Sequence, residues 1–170
     1  SNLAIEKVVL PEGVDCICGD AFVYCENLKH INIPSSVSEM GDDPFAGCLN
    51  IIIDNQSVHF VNENGVLFHA AKKFLIHYTA DRKDKEYTIP ESVTWIGKHS
   101  FYKCKNLQIV RITKNVRFMG NNAFSDCRNI RLINDSPYFQ YVNGALYDKN
   151  ATTFMHYSMG SGVKVVELLD

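Results

Sequence analysis

Hydrophobic residues along this chain recur in short runs in which apolar and polar positions alternate. Residues 28–33 (LKHINI) end in such an alternation, and residues 107–112 (LQIVRI) repeat it. Alternation with period two predicts short, half-buried β-strands. Pro34 follows the first run directly. Because proline cannot donate to a hydrogen-bond ladder, we expect the strand to end before it.

The motif Phe-x-x-Cys occurs four times and sets the period of the chain. Its phenylalanines lie 23 residues apart within each of two pairs, and the second pair lies 79 residues after the first. The motif residues are Phe22, Cys25, Phe45, Cys48, Phe101, Cys104, Phe124 and Cys127. The same offset relates Gly65 to Gly144 and His77 to His156. The chain therefore contains two copies of a 79-residue block, each with two 23-residue units and a 33-residue segment.

Each 23-residue unit follows the pattern Val-x-x-Ile-Gly-x-x-Ala-Phe-x-x-Cys-x-Asn-Leu-x-x-Ile-x-Ile. A polar residue precedes the Phe-x-x-Cys stretch, as at Asp20, Asp43 and Asn122, and is suited to cap one or two helical turns. Phenylalanine and cysteine three residues apart would share one face. We therefore predict that the eight motif residues form the repeated structural core.

A glycine stands four residues before the phenylalanine in three of the units, at Gly41, Gly97 and Gly120. Glycine suits a turn with positive φ or a close approach of two backbones. Cys18 stands at this position in the first unit and interrupts the pattern.

A single unit has one apolar row and nothing to bury it against. Stacking the units solves this problem, so we predict a leucine-rich-repeat solenoid that is β-rich, has short helical turns and advances about 4.8 Å per coil. The unit length lies within the range of leucine-rich repeats. Each 33-residue segment places Asn-Gly, at 64–65 and 143–144, between apolar stretches. That arrangement predicts a β-hairpin attached to the solenoid.

We predict one leucine-rich-repeat domain over residues 1–170. It divides into a first block at 5–83, a second block at 84–162 and a terminal strand at 163–170. The strands expected at 8–10 and 166–168 occupy equivalent positions in the repeat. Both would expose unpaired backbone edges, so we expect either further coils or self-association through the terminal coils.

The repeated unit resembles the BspA-like, or Treponema-type, leucine-rich repeat, and the resemblance covers roughly residues 5–168. The long linking segments of that family are similar to the hairpin segment here. In this chain the segment contains Asn-Gly-x-Leu and, further along, two apolar residues followed by any residue and Tyr. The resemblance implies a bacterial protein that is secreted or lies on the outer surface. The best-described members of the family act in adhesion to host proteins or to other cells. The family defines no catalytic residues, so the resemblance implies none here.

Composition and charge exclude several classes of function. The chain has 17 Lys and Arg against 19 Asp and Glu, a formal net charge of −2 and a sequence pI near 6.3. This balance argues against nucleic-acid binding driven by bulk charge. No apolar run approaches the roughly 20 residues of a membrane helix, so we expect no membrane insertion of this segment. The first residues also lack the basic-then-apolar layout of a signal peptide.

The cysteines and histidines are the candidates for metal or catalytic chemistry. Zinc sites ordinarily use two closely spaced Cys or His pairs, and outside the repeated position this chain has only Cys16 and Cys18. His77 and His156 recur beside a tyrosine, and we predict that each imidazole packs on that neighbour or bonds to the backbone. No nucleophile repeats beside them, and the phosphate-loop and His-Glu-x-x-His motifs are absent. We therefore expect no cofactor, no metal and no enzymatic activity.

Together these features favour a non-enzymatic extracellular module for protein-protein interaction, with adhesion of a bacterial surface protein to host or other cells as its role. A structural stalk or spacer in a longer surface array is the second interpretation, and a metal or redox protein using Cys16 and Cys18 is the third. Residues that alternate with the buried strand positions would form one continuous concave surface for a host matrix or cell-surface protein. This candidate surface consists of Lys7, Val9, His30, Asn32, Glu86, Thr88, Ile109, Arg111 and Arg131.

Overall fold

Short strands follow one another at regular spacing along the whole described chain. A computed structural model describes residues 5–127 and 130–158. The strands, each a few residues long, are β1 (Lys7–Val8), β2 (Cys16–Ile17), β3 (His30–Ile33), β4 (Glu39–Met40), β5 (Ile52–Asn55), β6 (Phe60–Glu63), β7 (Val66–His69), β8 (Phe74–Tyr78), β9 (Glu86–Thr88), β10 (Trp95–Ile96), β11 (Ile109–Ile112), β12 (Phe118–Met119), β13 (Arg131–Asn134), β14 (Phe139–Val142), β15 (Ala145–Asp148) and β16 (Phe154–Tyr157). Within these ranges no helix is long and apolar enough to cross a membrane.

Parallel pairing between successive coils gives the predicted β-rich solenoid. The strands β1, β3 and β5 form one three-stranded parallel sheet, and β9, β11 and β13 form another. In the first sheet Ile31 lies between Val8 and Ile53 and points inward. The period-two pattern of the sequence therefore places one apolar row per sheet in the core. Pro34 follows β3 directly, where the strand was expected to end.

The hairpin segment completes the solenoid between the second and third coils. The strands β6, β7 and β8 form an antiparallel meander that turns at Asn64-Gly65. Strand β8 then pairs in parallel with β10, which places Phe74 beside Trp95 and Leu75 beside Ile96. Strand β8 thus takes the place of a coil strand, and the third coil stacks on it. Strands β14, β15 and β16 form a second meander of the same kind.

Tight turns take the place of the helical turns expected at Phe-x-x-Cys. The cysteine N–H donates to the phenylalanine carbonyl, at 3.1 Å from Cys25 to Phe22 and 2.9 Å from Cys48 to Phe45. The residue before each cysteine has positive φ, as the third residue of a type II turn requires. These residues are Tyr24, Gly47, Lys103 and Asp126. Because an α-helix cannot run through left-handed residues, the expectation of short helical turns is corrected to a series of tight turns.

The polar residues that were expected to cap helices are themselves left-handed. Asp20, Asp43 and Asn122 have φ of 58°, 41° and 58°, and His99 at the equivalent position has φ of 49°. Asp and Asn tolerate this conformation because a short polar side chain can hydrogen-bond locally. The polar residue ahead of Phe-x-x-Cys is therefore a turn residue and not a helix cap.

Two of the repeated glycines allow adjacent coils to approach closely. A Cβ on Gly41 would lie 2.2 Å from the backbone nitrogen of Gly19, and one on Gly120 would lie 2.4 Å from that of Lys98. Neither glycine has positive φ, so the close approach, and not a turn, accounts for the residue. Cys18 stands at the equivalent position in the first coil, where its side chain is exposed.

The repeated phenylalanines stack through the core. Ring centroids lie 5.8 Å apart for Phe22 and Phe45 and 5.0 Å apart for Phe101 and Phe124. Three of these side chains are fully buried, whereas Phe22 is half-buried. Phe22 belongs to the first coil, and among the described residues a ring stacks on it from one side only.

Two residues of the hairpin join the phenylalanine pairs into one column. His77 packs edge-on against Phe45, with centroids 5.9 Å apart. Its neighbour Tyr78 stacks on Phe101 of the third coil, with ring centroids 5.1 Å apart. One dipeptide of β8 therefore continues the column from the second coil to the third.

Both repeated histidines contact the phenylalanine of the preceding coil. His156 lies 5.6 Å from Phe124, in the same relation as His77 to Phe45. In place of the expected contact with the neighbouring tyrosine, each imidazole packs on this phenylalanine, and the other expectation, a bond to the backbone, stays a prediction. Burial lowers the pKa of His77 and of His156 to about 4, so both imidazoles are neutral at pH 7.

The repeated cysteines are free thiols, and two of them bridge adjacent coils by a weak hydrogen bond. The Sγ of Cys48 lies 3.2 Å from the carbonyl oxygen of Phe22, and that of Cys127 lies 2.8 Å from that of Phe101. Cys104 is buried as well, whereas Cys25 in the first coil is half-buried. A small apolar side chain that can donate one weak hydrogen bond fits this position.

We expect alkylation of the folded chain to separate the cysteines into two groups. Burial raises the pKa of Cys48 to about 12 and that of Cys104 well above its usual value, so neither forms the reactive thiolate. Iodoacetamide should modify exposed Cys16 and Cys18 in the native protein, and Cys48, Cys104 and Cys127 only after unfolding. Peptide mass spectrometry gives the extent of modification. Native modification of Cys48 as fast as that of Cys18 would show that the coils do not pack as described.

The terminal strand predicted at 163–170 lies outside the described residues. This segment includes 166–168, the positions expected to be equivalent to 8–10. The expectation of unpaired edges at both ends, and the division into blocks at 5–83 and 84–162, therefore stay predictions. At the other end, β1 pairs with β3.

Candidate functional site

Four of the predicted surface residues belong to the first parallel sheet. Lys7 and His30 lie side by side on β1 and β3, and Ile52 continues their row on β5. Asn32 lies two residues further along β3, and Val9 follows the end of β1 with its side chain exposed. This row joins a cation, an imidazole and an aliphatic side chain on one sheet face.

The other five predicted residues belong to the second parallel sheet. Glu86, Ile109 and Arg131 lie in one row across β9, β11 and β13. Thr88 and Arg111 lie beside each other in the next row. We call the outward-pointing residues of these two parallel sheets the strand face.

The sequence analysis predicted one continuous surface, but the strand face is divided into two parts. Strand β5 ends the first sheet and β9 begins the second. The loop after β8 occupies the rung between them, because the N–H of Asp81 donates to the carbonyl of Leu49 at 2.9 Å and the Thr79 hydroxyl to that of Ile51 at 3.4 Å. The expected surface is therefore corrected to two rows separated by this loop.

A groove of about 270 Å³ lies at this junction, and sequence reasoning missed it. It is lined by Asn50, Ile51, Ile52, Ile53, Asn62, Asn64, Gly65, Thr79, Asp81 and Arg82. Arg82 is fixed by its contact with Asp84, 2.7 Å from Nη2 to Oδ2, and lies 5.0 Å above the ring of Tyr78. No sequence pattern indicates where a hairpin packs against a neighbouring sheet, so the groove had no signal of its own.

Two of the predicted residues already have partners within the chain. The amide of Asn32 accepts a hydrogen bond from the Leu10 N–H at 2.7 Å and donates to the Leu10 carbonyl at 2.9 Å, so it holds the first coil in place. Arg111 forms an ion pair with Asp135, at 2.8 Å between Nη1 and Oδ2. An exposed ion pair of this kind contributes about 0 to 1 kcal/mol, so Arg111 can exchange its partner at little cost.

The strand face also contains residues that the sequence analysis did not select. Ile52 is 58% exposed and Asp54 lies on the same side of β5. Ile133 lies beside Arg111 on β13. Strand pairing places them beside His30, Asn32 and Arg111, each at an offset of 22 residues, so alignment on the 23-residue period of the phenylalanines did not indicate them.

A buried carboxylate links the second coil to the third. The Oδ2 of Asp43 lies 2.7 Å from Nδ1 of His99, and its Oδ1 lies 3.3 Å from Nζ of Lys98. Asp43 raises the pKa of Lys98 above its ordinary value, chiefly through the interaction with its carboxylate. Removing one partner of a buried charge leaves the other uncompensated. We assign these three residues to holding the coils together.

Cys16 and Cys18 are exposed free thiols on and beside β2. In the part of the chain that the structure describes, no three His, Cys, Asp or Glu side chains come together as a metal site requires.

Comparison with solved structures finds bacterial leucine-rich-repeat proteins. A leucine-rich cell surface protein from Faecalibacterium prausnitzii is 25% identical, with a TM-score of 0.63, and the match covers 77% of this chain and 41% of that one. A leucine-rich repeat protein from Eubacterium ventriosum is 24% identical with a TM-score of 0.62 over 76% and 42% of the two chains. The pneumococcal vaccine antigen PcpA is 22% identical with a TM-score of 0.65 over 77% and 40%.

This chain thus spans about two fifths of the length of those proteins. Comparison with curated protein sequences finds no match. The model of the BspA type leucine rich repeat region matches in six copies, over residues 1–65 and 79–159. These matched residues include every strand from β1 to β16 except the hairpin strands β7 and β8. The chain therefore belongs to the BspA-type leucine-rich repeat family.

Proposed function

We propose that this chain is a non-catalytic, extracellular module with which a bacterial surface protein adheres to a protein on host or other cells, and that the strand face contacts the partner. Leucine-rich-repeat families are generally protein-interaction modules. The observation that carries the proposal is the parallel alignment of outward side chains in two sheets, with Lys7, His30 and Ile52 in one row and Glu86, Ile109 and Arg131 in the other.

The chemistry of the strand face suits a broad protein partner. Each row places an aliphatic side chain, Ile52 or Ile109, beside charged or hydrogen-bonding groups. Interfaces between proteins have this composition, with an apolar centre and a polar rim. Neither row contains an aromatic anchor, and a few such anchors usually dominate the binding energy. Affinity of a single module should therefore be modest.

The position of the groove between the two sheets also favours the strand face as the contact region. It lies at the junction of the two rows, where a partner that spans both sheets would cross it. Ile52 belongs both to the first row and to the wall of the groove. A side chain from the partner could therefore enter the groove while neighbouring groups contact the rows.

The test is capture of purified matrix proteins by the immobilised chain. Fibronectin, laminin, fibrinogen and collagen form the panel, and biolayer interferometry measures binding. The test variant is Ile109→Asp with Arg111→Glu, which places two negative charges in the second row. The control is Asp135→Asn, which removes the same ion pair without reversing the charge of Arg111.

We expect the double variant to lose at least about tenfold in affinity for the captured protein, whereas the control should bind as the parent does. Circular dichroism and thermal unfolding check that both variants fold. Unchanged capture by a folded double variant would contradict the assignment to the strand face and would move the contact to the hairpins around Gly65 and Gly144.

A further inference from the structure

Three aromatic side chains, of which Trp95 and Phe118 are exposed and Phe74 is half-buried, form a ladder on a sheet that does not belong to the strand face. Phe74, Trp95 and Phe118 occupy aligned positions on the parallel strands β8, β10 and β12. Their ring centroids are 5.7 Å apart for Phe74 and Trp95 and 5.3 Å apart for Trp95 and Phe118. Trp95 is 48% exposed and Phe118 is 57% exposed. We call these three residues the aromatic ladder.

Phe74 packs against the core, but Trp95 and Phe118 are not needed to fill it. The next residue on each strand points inward instead, and Leu75 and Ile96 are fully buried. The positions equivalent to Trp95 and Phe118 in the first block hold Cys16 and Glu39, which pair in the same register on β2 and β4. Coils of this design therefore form without aromatic residues at these positions.

The chain segments on either side of the three aromatic residues are basic. No Asp or Glu lies within two residues of any of the three aromatic residues in the sequence, whereas Lys72, Lys73 and Arg117 do. Lys72 forms an ion pair with Glu63. Lys73 and Arg117 have exposed side chains, and the guanidinium of Arg117 lies 5.6 Å above the ring of Tyr138. Lys73 and Arg117 precede Phe74 and Phe118 directly, and their backbones pair with those of Trp95 and Thr94, so two exposed cations lie on the strands that carry the rings.

We propose that the aromatic ladder is a docking surface for an acidic segment of a partner protein, in which carboxylates flank an aliphatic or aromatic side chain. The apolar side chain contacts Trp95 and Phe118, and the carboxylates pair with Lys73 and Arg117. Tryptophan and arginine are the residues most enriched among those that dominate protein interfaces. Complementary charge at the rim speeds association and selects the partner. This surface is separate from the strand face and does not depend on it.

Trp95 allows a direct test, because it is the only tryptophan of the chain and its fluorescence reports on the ladder. The probe is a synthetic peptide of repeated Glu-Leu-Glu, and the matched peptide replaces each Glu by Lys. Cello-oligosaccharides and chitin oligosaccharides form a third arm. Dilution of the protein without any probe forms a fourth.

We expect the Glu-Leu-Glu peptide to shift the emission of Trp95 to shorter wavelength and to protect it from acrylamide quenching. Phe118→Glu introduces the residue that the first block has at this position, so the fold should tolerate it. It should weaken peptide binding by at least about tenfold. Arg117→Gln should weaken binding less and should reduce its dependence on salt. Val58→Ala, an exposed aliphatic position outside the ladder, is the control and should bind as the parent does.

Four outcomes would overturn the proposal. They are equal binding of the Lys peptide, a spectral response to the oligosaccharides in place of the peptide, a shift on concentration alone that indicates a second copy as the occupant, and no response to any probe. Strand-face variants such as Ile109→Asp with Arg111→Glu should leave the peptide response unchanged. Failure of matrix-protein capture and failure of peptide binding are therefore distinguishable.

Discussion

Replacing Phe101 by alanine should lower the free energy of unfolding by about 3 to 5 kcal/mol, the usual cost of removing a fully buried phenyl ring. The ring stacks between Tyr78 and Phe124, with centroids at 5.1 Å and 5.0 Å, and Tyr87 contacts it at 6.0 Å. The substitution therefore opens a cavity at the point where the hairpin joins the second block. Urea unfolding followed by circular dichroism measures the loss.

Phe22→Ala is the matched control for this prediction. Phe22 occupies the same repeat position, but its side chain is half-buried and stacks on Phe45 only. Phe22→Ala should therefore lower the free energy of unfolding clearly less than Phe101→Ala does. Equal losses for the two variants, or a Phe101→Ala protein that unfolds at the urea concentration of the parent, would contradict the continuous aromatic column.

Acid should destabilise the protein through His77, which is buried, and His156, which is half-buried. The pKa of His77 and of His156 is about 4 in the folded chain, and the unfolded value is about 6.5. Between these values the unfolded chain binds more protons, so the free energy of unfolding falls as the pH falls from about 6.5 to 4. For buried His77 the loss approaches about 1.4 kcal/mol per pH unit, or about 3 kcal/mol at pH 4, and for half-buried His156 it is smaller.

Replacing one histidine with leucine isolates its share of this pH dependence. His77→Leu removes the titrating group from the contact with Phe45, and His156→Leu removes it from the contact with Phe124. Each variant should show a shallower fall in stability between pH 6.5 and 4, whatever its stability at pH 7. Carboxylates that titrate in the same range are common to all three proteins and cancel in the comparison. An unchanged slope in both variants would contradict the burial of the imidazoles.

The repeat arithmetic predicted the solenoid because a fixed period of apolar residues has few structural solutions. Units that cannot bury their apolar row alone must stack, and the alternation around Ile31 and Val110 settled which side of each strand faces inward. The hairpins followed from Asn-Gly at Gly65 and Gly144. These features depend on local chemistry that repeats, and repetition makes such signals strong.

The turns around Phe-x-x-Cys could not be identified in the same way. A polar residue before a short apolar stretch is typical of a helix cap and also of a left-handed turn residue, and at Asp20 and Asp43 the second applies. Backbone hydrogen bonds to the next coil decide the matter, since the Tyr24 N–H donates to the Ala46 carbonyl at 2.7 Å. A helix capped by Asp20 would pair that N–H with the Asp20 carbonyl instead. Contacts between coils therefore override the local preference.

The interruption of the strand face could not be predicted from the sequence either, because it depends on where a hairpin packs. Thr79 and Asp81 reach the second coil across a large separation in sequence. The aromatic ladder is a different case, since Trp95 and Phe118 stand at equivalent positions in aligned units. The sequence analysis selected outward positions on the longer strands only, so the aromatic ladder was not among the predicted surface residues.

Hydroxyl-radical footprinting of the chain, alone and bound to the matrix protein that it captures, tests the proposed function most directly. The method reports the solvent exposure of individual side chains by mass spectrometry. Our account predicts that His30, Ile52 and Ile109 on the strand face lose reactivity in the complex, while the exposed Val58 keeps it. Unchanged reactivity at all three strand-face residues in a saturated complex would contradict the account.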